Sequence, residues 1–517
     1  MKRILTFIAT ISILILWSSC RKDFNFDPST GNLEFSKDTV YLDTVFTNIG
    51  SSTYNLKVYN RSNNDIVIPT VRLGQGQASN YRLNVDGMAG KEFENIELLA
   101  KDSMFIFIET TFDIQSVVAA DNQFLYTDVI EFDSGSNLQK VDLVTLVKDA
   151  VFIYPNRDAQ GVVETLTFDV DGDGVDDETT LQGRFLEDSE LTFTNEKPYV
   201  IYGYAAVDEG ETLTIEAGAR VHFHANSGIL VTNNASLKVN GQLSNDQELL
   251  ENEVIFEGDR LEPLFSDIPG QWGTIWLFSG SVDNQINHAT IKNATVGILS
   301  ENNQNAPIDK LTITNSQIYN SSNFGILGRA TSITAENLVI NKAGQSSIAG
   351  TYGGKYNFTH CTIANYWTNS FRQFPALYLN NYIVDEDNTT FTNDLSEANF
   401  NNCIIYGNDN PEFMLDENDD ALFNFKFINC LMRFQNTSNV PAGPNYDFTN
   451  TALYEHIILN QDPKFKDASN NQLMICSDED SPAIGAGANF MVLSDILGNG
   501  RSTNPDLGAY NGSNCED

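Results

Sequence analysis

Six segments of the chain fall into one register. They are Ile286-Asn287-His288-Ala289-Thr290-Ile291, Ile313-Thr314-Asn315-Ser316-Gln317-Ile318, Ala335-Glu336-Asn337-Leu338-Val339-Ile340, Phe358-Thr359-His360-Cys361-Thr362-Ile363, Phe400-Asn401-Asn402-Cys403-Ile404-Ile405 and Phe427-Ile428-Asn429-Cys430-Leu431-Met432. The third position is Asn four times and His twice, and successive third positions lie 27, 22, 23, 42 and 27 residues apart. A fixed period of this kind marks a repeat architecture. It is too short for a strand–helix–strand unit, which takes about 30 residues, and fits three short strands joined by bends. The interval of 42 implies an insertion, placed within Trp367 to Ser396.

Side-chain parity supports the bends. Tyr356 and Phe358 alternate, Cys361 and Ile363 alternate, and the phase slips by one at Thr359-His360. A strand cannot change its inward face without a bend or bulge. Asn tolerates the left-handed backbone such a bend needs, and stacked Asn side chains can bond from one repeat to the next. Ile291, Ile318, Ile340, Ile363, Ile405 and Met432 are expected to form one inward column. Cys361, Cys403 and Cys430 are expected to form another. Strands about 4.8 Å apart fall within the Cα range of a disulfide, but stacked parallel side chains need not reach its torsion. Reduced, buried thiols are therefore favoured over a bridge, and Cys476 and Cys515 are left to close the C-terminal segment.

Earlier stretches continue the pattern: Thr212 to Phe223, Ile229-Leu230-Val231 and Leu237-Lys238-Val239-Asn240-Gly241. Together these segments resemble right-handed parallel β-helix proteins of the pectate-lyase-like architecture. Ser481-Pro482-Ala483-Ile484-Gly485-Ala486-Gly487 and Pro505-Asp506-Leu507-Gly508-Ala509-Tyr510 resemble the closing segment of exported β-helices, which usually has acidic residues where Gly485 and Asn511 stand. The resemblance implies an all-β chain with a β-helix over 205–465 and a closing segment over 466–517. It implies no particular activity, because one fold hosts several.

Upstream, period-2 segments separated by turn residues run over 33–154, including Thr53 to Asn60, Tyr81 to Val85, Met104 to Ile108 and Asp142 to Val147. Strands so spaced, without helix-period stretches, predict an antiparallel sandwich. The segment resembles the Ig-like modules that precede larger domains in bacterial surface proteins. A junction over 155–204 carries Asp169-Val170-Asp171-Gly172-Asp173-Gly174-Val175-Asp176-Asp177. Asp169, Asp171 and Asp173, the carbonyl of Val175 and Asp177 match the first positions of a calcium loop, but Thr180 stands where a bidentate Glu is needed. Weak calcium binding and a solvated acidic turn both remain open.

At the N-terminus Lys2-Arg3, an apolar run from Ile4 to Leu16 and Ser18-Ser19-Cys20 read as an export signal over 1–19. Small residues before Cys20 resemble a bacterial lipobox, with Trp17 departing from the usual Leu. The resemblance implies lipidation at Cys20 and a membrane partnership through a lipid anchor; Arg21-Lys22-Asp23 suggests delivery to the outer membrane or cell surface, and 20–32 reads as a linker. The chain holds 30 basic and 69 acidic residues, a net charge of −39. That argues against nucleic acid as a partner, since phosphate binding requires basic residues.

Catalytic motifs are scarce. Arg329, Lys355 and Arg372 are candidate bases only by elimination. His222 and His224 share one strand face and read as surface histidines. The loop from Asp259-Arg260-Leu261-Glu262 through Asp267 to Trp272-Gly273 is the most singular stretch, and would suit sugar stacking or simply lead into the next repeat. The expected function is a structural or glycan-binding envelope protein without catalysis. A polysaccharide lyase or glycoside hydrolase is the alternative, and calcium and polysaccharide are the expected cofactor and ligand.

Overall fold

A computed structural model describes residues 25–117, 122–302, 305–436 and 443–515. The leader and Cys20 lie outside the described residues. The chain divides into two units between Asp149 and Ala150, ahead of the expected boundary at 154. It is all-β, and among the described residues no helix is long and apolar enough to cross a membrane.

The first unit has two sheets. One orders Asp27–Pro28, Ile66–Leu73, Gln123–Phe132, Gln139–Lys148 and Thr39–Phe46, with Glu92–Leu98 also on Ile66–Leu73; the other orders Glu34–Phe35, Tyr54–Tyr59, Ser103–Thr110, Tyr81–Val85 and Met88–Gly90. Alternate residues of both sheets, such as Val40, Val71, Ile130 and Leu143 from one and Leu56, Leu83 and Ile106 from the other, share one core. Two expectations need correction. Thr39–Phe46 runs parallel to Gln139–Lys148, so the sandwich is not purely antiparallel. Asp27–Pro28 pairs with Ile66–Val67, so the sheet begins inside the stretch read as linker.

The second unit is built from sheets of 11 and 18 strands, parallel apart from the antiparallel pair Thr165–Phe168 and Asp177–Phe185 at one end of the larger. The 11-stranded sheet starts with Val151–Ile153 and Tyr199–Ile201 and ends with Leu431–Met432 and Ile458–Leu459. The parallel rows thus begin before residue 205, within the stretch read as junction. The predicted column is found residue for residue: Ile291 pairs with Ile318, then Ile340, Ile363, Ile405 and Met432. All six are fully buried. The turning position is left-handed in every repeat, with φ of 46° at His288, 48° at Asn315, 51° at Asn337, 54° at His360, 52° at Asn402 and 49° at Asn429. Asn337 Nδ2 donates to Asn315 Oδ1 at 2.9 Å, which joins neighbouring repeats.

The 18-stranded sheet holds two further parallel rows, which run together in the long strands Phe324–Glu336 and Ile348–Thr359. The bend survives there as a register shift around Ala330, itself left-handed at φ 48°. The insertion expected after Trp367 contains an antiparallel hairpin, Tyr382–Val384 with Thr390–Thr392. Cys361, Cys403 and Cys430 are buried free thiols, and Cys476 and Cys515 form a disulfide. The C-terminal segment covers the outer face of the 11-stranded sheet, where Leu473, Ile496 and Ala509 pack with Tyr319, Val339 and Ala364.

Candidate functional site: a cleft at the end of the 11-stranded sheet

Register builds the site. Ile153 pairs with Ile201, Ile201 with Phe223, and Phe223 with Gly258. The residues that follow these positions are Tyr154, Tyr202, His224 and Asp259. Parallel strands bring equivalent positions to about 4.8 Å, so residues far apart in sequence become one row. The Tyr154 and Tyr202 ring centroids are 4.8 Å apart, and those of Tyr202 and His224 are 4.3 Å apart. Phe152 stacks on Tyr154 at 5.5 Å. His224 Nδ1 donates to Asp259 Oδ2 at 2.8 Å, which fixes the tautomer and the ring orientation. Burial, and after it the Asp259 charge, raises the Tyr154 and Tyr202 hydroxyls above the usual phenol range, so both stay protonated donors.

This row forms one wall of a cleft of about 880 Å³ that also takes in Arg157, Val163, Thr180, Gln182 and Asn226. Thr180 to Gln182 belong to the strand Asp177–Phe185, and Arg157 bridges Val163 across a tight turn. Because the rings cover one another's faces, what remains for a ligand is an edge of hydroxyls and ring nitrogen beside side-chain amides. Such a wall offers both donors and acceptors. The Asp259-held imidazole is also a group that can accept a proton.

The other expected site residues are placed as follows. Trp272 is 1% exposed, stacks on Phe223 at 4.3 Å and donates from Nε1 to Lys292 O. It is part of the core and unavailable for sugar stacking. Arg260 is paired with Glu262 at 3.0 Å and lies over the Phe265 ring, while Asp267 accepts from Asn320 Nδ2 at 3.1 Å. Of that loop, Asp259 alone joins the cleft row. His222, expected at the surface, is buried beside Gly258 O.

The candidate bases are all engaged. Arg329 sits on Glu301 at 3.0 Å and Lys355 on Asp309 at 3.1 Å. Arg372 is buried with both Nη atoms on Glu412, at 2.8 and 2.7 Å. Arg329 and Glu301 line a second groove of about 650 Å³ with Tyr352, Tyr378 and Tyr382.

The acidic loop is the tip of the hairpin Thr165–Phe168 and Asp177–Phe185. Carboxylate oxygens of Asp169, Asp171 and Asp177 lie within 4.8 Å of one another. Asp173 is outside that group, and its Oδ1 accepts from Val175 N at 2.8 Å. Asp169 accepts from Gly172 N and Gly174 N at 2.7 and 3.0 Å.

No family model matches the chain, and no curated protein matches it in sequence. Among solved structures, the catalytic unit of a GH87 alpha-1,3-glucanase from Streptomyces thermodiastaticus aligns at 12% identity. The alignment covers 75% of this chain and 64% of that one, with a TM-score of 0.21. The chain thus spans less than two thirds of that glucanase unit. A PapD-like domain of human CEP192 aligns at 12% identity over 26% of this chain and 94% of its own length, with a TM-score of 0.15. The E. coli chaperone DraB aligns at 11% identity over 24% of this chain and 58% of its own, with a TM-score of 0.16. Likeness this slight bears on neither activity nor ligand.

Proposed function

We propose that the chain is a lipid-anchored envelope protein that binds glycan in the Tyr154–Tyr202–His224 cleft without cleaving it, on a unit that is a right-handed parallel β-helix. The observation that carries the glycan reading is the row itself. Three rings with centroids 4.3 to 4.8 Å apart, backed by Asp259, run along a cleft with amide and hydroxyl neighbours. A polyhydroxylated chain is a ligand that both donates to and accepts from such a wall at successive residues. The β-helix reading is supported by three parallel rows that bend at one left-handed position in each repeat.

Incubation with a panel of polysaccharides tests this. Co-sedimentation without new reducing ends or unsaturated products is the expected result, and such products would defeat the non-catalytic reading. The lyase or hydrolase alternative draws on the His224–Asp259 pair, a proton acceptor already in the cleft.

Anchoring at the outer membrane or cell surface rests on the leader and Cys20. Cys20→Ala is expected to release the chain from the membrane fraction. Calcium in the Asp169–Asp177 loop is proposed as a weak, structural ligand. It predicts a calcium-dependent rise in Tm that is lost when Asp169, Asp171 and Asp173 are replaced by Asn.

A further inference from the structure

Charge is distributed unevenly around this molecule's concavities. Although the chain carries 69 acidic residues, none of the residues lining the Tyr154–Tyr202–His224 cleft is Asp or Glu, and Asp259, at the end of its aromatic row, is held by His224. The cleft instead takes in Arg157 and His224. The groove at Tyr378 includes Glu301, and a cavity beside the acidic loop includes Asp169, Asp176, Asp208 and Glu209.

Arg157 is also unlike the other exposed arginines. Arg61, Arg72, Arg82, Arg260 and Arg329 each sit on a carboxylate. Arg157 has no ion pair among the described residues, and its Nη1 reaches only Gly161 O at 3.3 Å. The neighbouring carboxylates are turned elsewhere. Asp158 accepts from the amides of Gln160 and Val162, Glu164 accepts from Asn156, and Asp259 holds His224. An exposed guanidinium with free donors, in a cleft whose one wall carboxylate, Asp259, is held by His224, is a site for an oxyanion, which it meets with two parallel N–H bonds.

We infer that the cleft selects an anionic saccharide, its carboxylate or sulfate ester held by Arg157 while Tyr154, Tyr202 and His224 order the hydroxyls. This rests on the glycan reading and adds the ligand's charge class. Repulsion from the acidic surface does not defeat it, because screening at physiological salt confines that field to about 8 Å, and Asp259, the carboxylate in the cleft wall, is already paired with His224.

The test is a glycan array of matched pairs, each a neutral polysaccharide printed beside its carboxylate-bearing and its sulfated forms. It is probed with the full chain, with Arg157→Gln and with Tyr202→Ala. The wild type is expected to prefer an anionic form by about tenfold or more, the scale of a charged hydrogen bond. Retention on the carboxylate or on the sulfate spots identifies the source of the oxyanion. Arg157→Gln, at an exposed position, is expected to keep binding to the neutral forms and lose the preference. Tyr202→Ala is expected to weaken binding to all forms. Equal binding of neutral and anionic partners by the wild type, or a preference that survives Arg157→Gln, overturns the inference and leaves the glycan reading standing. Binding to no spot overturns both.

Discussion

Arg501 Nη2 donates to Asn337 Oδ1 at 2.8 Å, so a residue of the C-terminal segment is bonded to the residue on which a repeat turns. The same Nη2 reaches Gly508 O and Ala509 O at 3.1 and 3.2 Å, which ties the segment to itself and to the sheet. Burial, partly offset by Asp495 and Asp506, brings the guanidinium pKa down to about 10. Arg501→Met fills similar space but removes the donors that reach Asn337 Oδ1, Gly508 O and Ala509 O. A loss of about 2 kcal/mol or more is expected, in line with a charged hydrogen bond. Denaturant unfolding measures it, and limited proteolysis should then cut within 466–515 before the parallel sheets.

The repeat was legible because its signal is local. Asn or His at the turn, and an apolar residue three positions on, recur within a few residues of each other from His288–Ile291 to Asn429–Met432. The cleft was not, because its row is assembled by register. Tyr154, Tyr202, His224 and Asp259 become neighbours only once Ile153, Ile201, Phe223 and Gly258 are aligned. The residues after the apolar ends of those earlier strands, Tyr154, Tyr202, His224 and Asp259, carry the signal that marks it. Trp272 misled for the opposite reason. Glycines and charges around an aromatic look like a ligand loop, yet the ring fills the core against Phe223.

His360 makes stability depend on pH. Asn402 Nδ2 donates to its Nε2 at 2.8 Å, which requires an unprotonated ring. Burial, and then the charge of Arg501, lowers its pKa from 6.5 to about 3. The unfolded chain therefore binds the extra proton first. The contribution is complete above pH 6.5 and is lost as pH falls from 6.5 toward 3, with a slope of up to about 1.4 kcal/mol per pH unit. His360→Asn places at this turn the residue that four other repeats use. Urea midpoints at pH 7 and pH 5 should differ less in this variant than in the wild type, whose remaining acid loss includes His288, also lowered by burial.

The three thiols test the inward columns. Cys361, Cys403 and Cys430 are fully buried, and burial pushes the Cys361 and Cys403 thiols well above their usual pKa. Thiolate is the reactive form, so native protein should resist alkylation at all three while unfolded protein reacts. Cys476 and Cys515 should label only after reduction. Ready alkylation of any repeat cysteine in the native state would show that its column faces outward.

Hydrogen exchange on the full chain, with and without a polysaccharide it retains, tests the site most directly. Slowed exchange is expected in the peptides that carry Tyr154 to Arg157, Thr180 to Gln182, Tyr202-Gly203 and His224 to Asn226, the residues that line the cleft. Protection centred instead on the groove of Glu301, Tyr352 and Tyr378, or absent from the cleft peptides while the glycan is bound, would contradict the account.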